Sequence, residues 1–290
     1  MAPESLPVPS VGFVGLGDMG GPIARRIAAA GFPLAVWSRR NAFDALGAHP
    51  FVSKASLREL GASRDVVGVC VFDDADVREV ALGSKGLLSA MAPDSILVIH
   101  STISVDSCVE IAAAGAEVGV HVLDAPVTGA STGANRGELA IMVGGDPALR
   151  PRVMPVLRAY GNVIRWMGPV GSGQRMKMLN NVLAFANGRL ANIAIETGAE
   201  LGLDVGSVID VLATGSAGSS ALDSLVDVLI ADPAYTAHAA TMIAKDTALF
   251  SETCRQHGVT PTELESLATE RIAAVVPRVG VPTRDNTRDT

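Results

Sequence analysis

The sequence predicts an α/β protein: a doubly wound, mostly parallel sheet in the first half, followed by an all-helical second half. Three observations carry that expectation. Short apolar runs alternate with helical segments from Val11 to Trp166. A glycine-rich turn joins the first of those runs to the first helix. From Gln174 onward, apolar residues recur at helical spacing and no strand pattern interrupts them.

The first strand is Val11-Gly12-Phe13-Val14, and Gly15-Leu16-Gly17-Asp18-Met19-Gly20 follows at once. The three glycines have separable jobs: Gly15 for a tight turn, Gly17 for close approach of a pyrophosphate, Gly20 for packing of helix on strand. The helix that opens there, marked by Ile23 and Ile27, offers unpaired N–H groups and a positive dipole end to phosphate. A second strand over 34–37 completes a β-α-β unit, which identifies a Rossmann-type dinucleotide site. That strand ends Trp37-Ser38-Arg39-Arg40, without the acid that would hold a ribose 2′-OH and repel a 2′-phosphate. Guanidinium groups pair bidentately with phosphate. NADP(H) is therefore expected over NAD(H), with Arg39 the closer contact and Ser38 and Arg40 beside it.

Further strands are expected over 66–72, 96–99, 120–123, 139–143 and 163–166, with helices over 76–82 and 105–114 between the earlier ones. Ligands of such sheets bind beyond the carboxyl ends of the strands. Asp73 and Asp74, His100-Ser101-Thr102, and Asp124 all fall there. Residues 124–145 are rich in small residues and turn formers, which suits a loop whose backbone N–H groups bind a carboxylate. A purely structural turn accounts for those glycines equally well.

Helices are expected at about 174–201 and at 205–213, 221–230, 237–257 and 261–276, with a polar tail that frays. The division is thus 1–168 for the dinucleotide-binding domain and 169–290 for the helical domain, the helix at about 174–201 joining them. On that helix Lys177 and Asn181 lie four apart and share a face.

Composition narrows the class. A net charge of −7 without a basic cluster argues against a nucleic-acid partner. Cys70, Cys108 and Cys254 are far apart and odd in number, so no metal-ligand spacing or disulfide framework appears and a reducing cytoplasm is expected. The first ten residues lack the basic and apolar regions of a secretory signal, and no apolar stretch is long enough to span a bilayer. No metal and no membrane partner are expected.

Taken together, GLGDMGGPIARRI, HSTIS, DAPVTGASTGANRGELAIMVGG, GSGQRMKMLNN and AKDTALF resemble, in order, the motifs of the β-hydroxyacid dehydrogenase family, related to 6-phosphogluconate dehydrogenase. The resemblance runs from about Val11 to Ala274. It implies an NADP(H)-dependent oxidoreductase that interconverts a small β-hydroxyacid and its semialdehyde or oxo acid. Lys177 matches the family's catalytic lysine and Asn181 its substrate-orienting asparagine. Thr128, Gly129 and Ala130 fall on the loop that holds the substrate carboxylate. Thr102 matches a residue near the nicotinamide ribose, and Lys245, followed by Asp246, a pair that closes over the cofactor. A lysine near a helix N-terminus has its ammonium form disfavoured, which suits a general acid–base. Family members assemble as homodimers or homotetramers, and the same is expected here.

The chain departs from the pattern at several places. Ile99 stands for an Asp, and Ala130 for a glycine whose loss restricts the carboxylate loop. His238 occupies the place of an active-site Phe and Ser220 that of an aromatic residue, a more polar and roomier substrate pocket. Two other functions compete: an imine reductase on the same fold, a group that usually lacks the lysine, and a non-catalytic dinucleotide-binding sensor or scaffold. Lys177 argues against the first, and Lys177 and Asn181 together argue against the second.

Overall fold

The computed structural model describes residues 7–223, 233–260 and 263–275. The chain forms two compact units that part between Lys177 and Met178.

The first unit alternates strand and helix: β1 (Val11–Val14), α1 (Gly20–Ala29), β2 (Leu34–Trp37), β3 (Val52–Ser53), α2 (Leu57–Gly61), β4 (Val66–Val69), α3 (Asp74–Leu82), β5 (Ile96–Ile99), α4 (Val105–Glu117) and β6 (His121–Asp124). Then come β7 (Val127–Thr128), α5 (Ala130–Arg136), β8 (Leu139–Gly144), α6 (Arg150–Leu157) and β9 (Gly161–Gly168). The strands lie in the order β3-β2-β1-β4-β5-β6-β8-β7, with β9 also paired to β8. Pairing is parallel from β3 through β6. Chain order reverses between β1 and β4, and that switch point is where a doubly wound sheet opens a crevice for a ligand.

Burial on both faces explains the continuous apolar strands. Successive residues point to opposite sides of the sheet. Leu34, Val36, Ile96 and Val98 join one core with Ile23 and Ile27 of α1 and Val153 and Val156 of α6. Ala35, Leu97 and Ile99 join the other, with Val77 and Val80 of α3 and Cys108 and Ile111 of α4.

Two expectations need correction. The strand expected over 66–72 stops at Val69, because Val71 leaves the ladder to donate its N–H to Ser101 Oγ (2.8 Å) and Asp73 then caps α3. Residues 124–145 are not one open loop: β7 and α5 precede the strand expected over 139–143, which is β8. The sheet is mostly parallel, as expected, with β8 running antiparallel to β6 and β7 at the far edge.

The joining helix α7 spans Ser172–Glu200 and passes from the first unit into the second. The second unit continues with α8 (Val205–Thr214), a helical turn beginning at Ser220, α9 (Pro233–Gln256) and α10 (Glu263–Val275). Most of the helix expected over 221–230 lies outside the described residues. Met178, Val182 and Ala186, each four apart, form the buried stripe of α7. Further along, Ile195 packs with Ile209 of α8 and Leu222. Gly188 lets Arg271 of α10 lie against α7, where a Cβ would stand 3.0 Å from the guanidinium Nε. Among the described residues no helix is long and apolar enough to cross a membrane.

Candidate active site

At the switch point the glycine turn has the geometry its sequence demands. Gly15 has φ +90°, and a Cβ there would stand 2.1 Å from the carbonyl oxygen of Cys70, so only glycine fits. A Cβ on Gly20 would stand 2.0 Å from the Gly15 carbonyl oxygen, which seats α1 directly on the turn. Gly17 is exposed, with nothing within 4 Å of where its Cβ would be. The first turn of α1 carries no acid, and Met19 caps it without a side-chain hydrogen bond. The open space at Gly17, at the start of a helix with neither an acid nor a side-chain cap in its first turn, fits a dinucleotide pyrophosphate. Leu16 is buried and Met19 packs against the same core, so the turn exposes backbone and the Asp18 side chain rather than those two side chains.

At the end of β2, Arg39 is 68% exposed and its Nη2 lies 3.2 Å from Asp76 Oδ1 in the first turn of α3. Arg40 is exposed, and Ser38 Oγ accepts the N–H of Ala42, closing the turn.

The residues after β5 separate by role. His100 points into the core, stacked on Phe13 and edge-on to Tyr160. Its Nδ1 is 2.8 Å from the Ala125 carbonyl oxygen and its Nε2 is 3.1 Å from the Tyr160 hydroxyl. Burial pushes its pKa down to about 4, the Ala125 carbonyl opposing only in part, so the imidazole is neutral and structural. Ser101 and Ser104 are tied into the loop, Ser104 giving both N–H and hydroxyl to Asp74 (3.0 and 2.6 Å). Between them Thr102 is half-buried.

Thr128 ends β7, and Gly129 (φ +127°) turns the chain into α5. Ala130 has φ +55°, the left-handed region, where its methyl group costs about 1 kcal/mol or more. The restriction expected at this position is thus a strained backbone that the fold holds in place.

The head of α7 rests on Asp124, which is fully buried. Its Oδ1 accepts the N–H of Gly171 at 2.7 Å and its Oδ2 that of Gln174 at 2.8 Å. Burial raises the pKa of this carboxyl, and the backbone N–H groups of Gly171 and Gln174 oppose the rise. Gln174 is also fully buried; its amide donates to the Ser101 carbonyl (2.8 Å) and accepts the N–H of Ile103 (3.2 Å). Lys177, half-buried, follows one turn later.

In the second unit Asn181 Nδ2 donates to Asp246 Oδ2 at 2.6 Å, while Lys245 Nζ pairs with Asp246 Oδ1 at 3.2 Å. Asp246 is 2% exposed, so two expected site residues converge on one buried acid. Ser220 is exposed at the start of its helical turn, and His238 lies on α9 with its side chain outside the described residues. From sequence, Gln174 had no role beyond opening the long helix, Asp124 stood only at the ligand end of a strand, and Asp246 entered only beside Lys245 in the pair that closes over the cofactor. Their hydrogen bonds join residues far apart along the chain, Asp124 to Gly171 and Gln174, Gln174 to Ser101 and Ile103, and Asp246 to Asn181, and no local pattern announces them.

The family is settled by comparison with known proteins. Residues 10–168 match the NAD-binding domain of 6-phosphogluconate dehydrogenase, and residues 171–288 match the NAD-binding domain of NADP-dependent 3-hydroxyisobutyrate dehydrogenase. The chain is 34% identical over 213 residues to the 2-hydroxy-3-oxopropionate reductase of Escherichia coli, covering 73% of each. It is 34% identical over 214 residues to the NAD-dependent L-serine dehydrogenase of Pseudomonas aeruginosa, covering 73% of this chain and 72% of that one. The solved 3-hydroxyisobutyrate dehydrogenase of Mycobacterium tuberculosis with L-serine superposes with a TM-score of 0.78 at 28% identity, covering 92% of this chain and 94% of that one. The chain belongs to the β-hydroxyacid dehydrogenase family and is an NAD(P)-dependent oxidoreductase acting on CH–OH groups.

Proposed function

We propose that the protein interconverts a small β-hydroxyacid and its semialdehyde or oxo acid with NADP(H), using Lys177 as general acid–base. The observation that carries this reading is the pairing of Asn181 and Lys245 on buried Asp246, with Lys177 one turn from Asn181 on α7. A buried acid that organises an amide and a cation is machinery a mere binding module has no need of.

In reduction the nicotinamide supplies hydride to the carbonyl carbon when it is bound. Lys177 Nζ gives a proton to the carbonyl oxygen, and in oxidation it takes one from the hydroxyl. Asn181, its amide oriented by Asp246, aligns the reacting oxygen. Backbone N–H groups of Thr128, Gly129 and Ala130 hold the substrate carboxylate. Gly15 to Gly20 cradle the pyrophosphate, Thr102 serves the nicotinamide end and Arg39 meets a 2′-phosphate, while the family resemblance assigns Lys245 to the cofactor as well. Ser220 and His238 set the size and polarity of the substrate pocket. The proton moves through a side chain, so the scheme calls for no metal.

The preference for NADP(H) rests on Arg39 and on the lack of an acid at the end of β2. The Asp76 that now pairs with Arg39 is a weak competitor, because exposed ion pairs contribute little. The test follows reduced-nicotinamide absorbance with glyoxylate, succinic semialdehyde, tartronate semialdehyde, methylmalonate semialdehyde and a cyclic imine, using NADPH and NADH in parallel. Turnover of an oxo acid or semialdehyde with NADPH preferred is the expected result. Turnover of the imine alone, or NADPH binding without turnover of any compound, contradicts the reading.

A further inference from the structure

We infer that Asp124 and Gln174 are positioning residues, a buried clasp that holds Lys177 in register with the loops bearing Thr102 and Thr128 to Ala130. The inference rests on the proposed role of Lys177 as proton donor.

The geometry is specific. Gln174 straddles Thr102, bonding the carbonyl before it on Ser101 and the N–H after it on Ile103. Asp124 stands four residues ahead of Thr128 and takes two N–H groups from the head of α7. Both side chains are fully buried, so water cannot replace these bonds if they are cut. Lys177 lies three residues beyond Gln174, about 5 Å along the helix axis, too short a lever to relax independently.

The chemistry suits an acid at 124 and nothing larger. A carboxylate satisfies two of the N–H groups that a helix leaves unpaired at its start, and its charge opposes the positive end of the helix. The box around it is closed: a Cβ on Gly144 would stand 2.2 Å from Oδ1, and one on Gly173 2.8 Å from Oδ2. Both loops and the proton donor are thus referred to a single point. A misplacement of about 1 Å in such a constellation can cost on the order of 100-fold in rate.

Two variants test this, Gln174→Met, which keeps volume, and Asp124→Asn, which keeps shape, with Lys177→Ala as control. For each folded variant kcat, KM, the NADPH dissociation constant and the solvent deuterium isotope effect are measured. The clasp predicts a fall in kcat of about tenfold or more, KM and NADPH affinity within about threefold, and a larger isotope effect than wild type because proton transfer has slowed. Wild-type kcat and isotope effect in folded Gln174→Met, with only thermal stability reduced, overturn the inference. If Asp124→Asn does not fold, Gln174→Met decides alone. A wild-type measurement is independent of both variants: the N–H groups of Gly171, Gln174 and Ile103 should exchange with solvent only through near-global opening, and rapid exchange overturns the clasp. Full activity in Lys177→Ala would overturn the proton-donor assignment itself, a failure distinct from loss of the clasp alone.

Discussion

Two buried aspartates are held in opposite ways. Asp124, in the first unit, is gripped by main-chain N–H groups of Gly171 and Gln174. Asp246, in the second, is gripped by the side chains of Asn181 and Lys245. Main-chain donors cannot be re-aimed without moving the fold, whereas side-chain donors can. Polar groups held by backbone set the frame, and with it stability and rate together, whereas polar groups that hold other side chains tune activity with less effect on stability.

The largest test of that division lies at His100, whose ring bonds the Ala125 carbonyl. Its folded pKa of about 4 lies below the 6.5 of an ordinary histidine. The unfolded chain therefore takes up the proton first. Stability is complete above pH 6.5 and is lost as pH falls toward 4, by roughly 3 kcal/mol. Urea unfolding at pH 7, 5.5 and 4 measures the slope, and a flat profile across that window breaks the assignment.

Next comes Asp246→Asn, which keeps the shape but removes the charge facing Lys245. Loss of a charge-assisted bond, about 2 kcal/mol, predicts a fall of about 30-fold in kcat/KM with a smaller change in unfolding midpoint. Asp124→Asn should instead lose stability and kcat together. If the two variants trade these signatures, the contrast between main-chain and side-chain grips is wrong.

Arg39 carries the contrast to the surface, where its side chain is 68% exposed and can leave half-buried Asp76. Arg39→Asp should raise KM for NADPH by about tenfold and leave that for NADH within about threefold. Equal effects on the two cofactors would remove Arg39 from the 2′-phosphate. The smallest effect is at Ala130. Ala130→Gly relieves a left-handed alanine and should stabilise the protein by about 1 kcal/mol, read as a higher urea midpoint. A lower midpoint would mean that the methyl group packs where the φ angle alone does not show it.

The first half of the fold was legible because consecutive residues each answer one demand. Gly15, Gly17 and Gly20 had distinct roles in the sequence, and each has the contacts or the open space its role requires. Helix α5 was illegible for the converse reason: ASTGANR has no apolar periodicity and reads as loop. Partnerships were hidden too. Asp124 meets residues 47 and 50 positions away, and Asn181 meets Asp246 across 65, distances over which no local pattern speaks. At Ala130 the replacement of glycine was visible, but the φ angle that makes it matter belongs to the folded chain.

The most direct test of the account is Lys177→Ala, assayed on the best oxo acid of the panel with NADPH affinity measured on the same preparation. The account predicts a fall in kcat of about 100- to 10,000-fold, as expected when a general acid–base is removed, with NADPH affinity within about threefold of wild type. A kcat within about tenfold of wild type would place the proton donor elsewhere and contradict the assignment of Lys177.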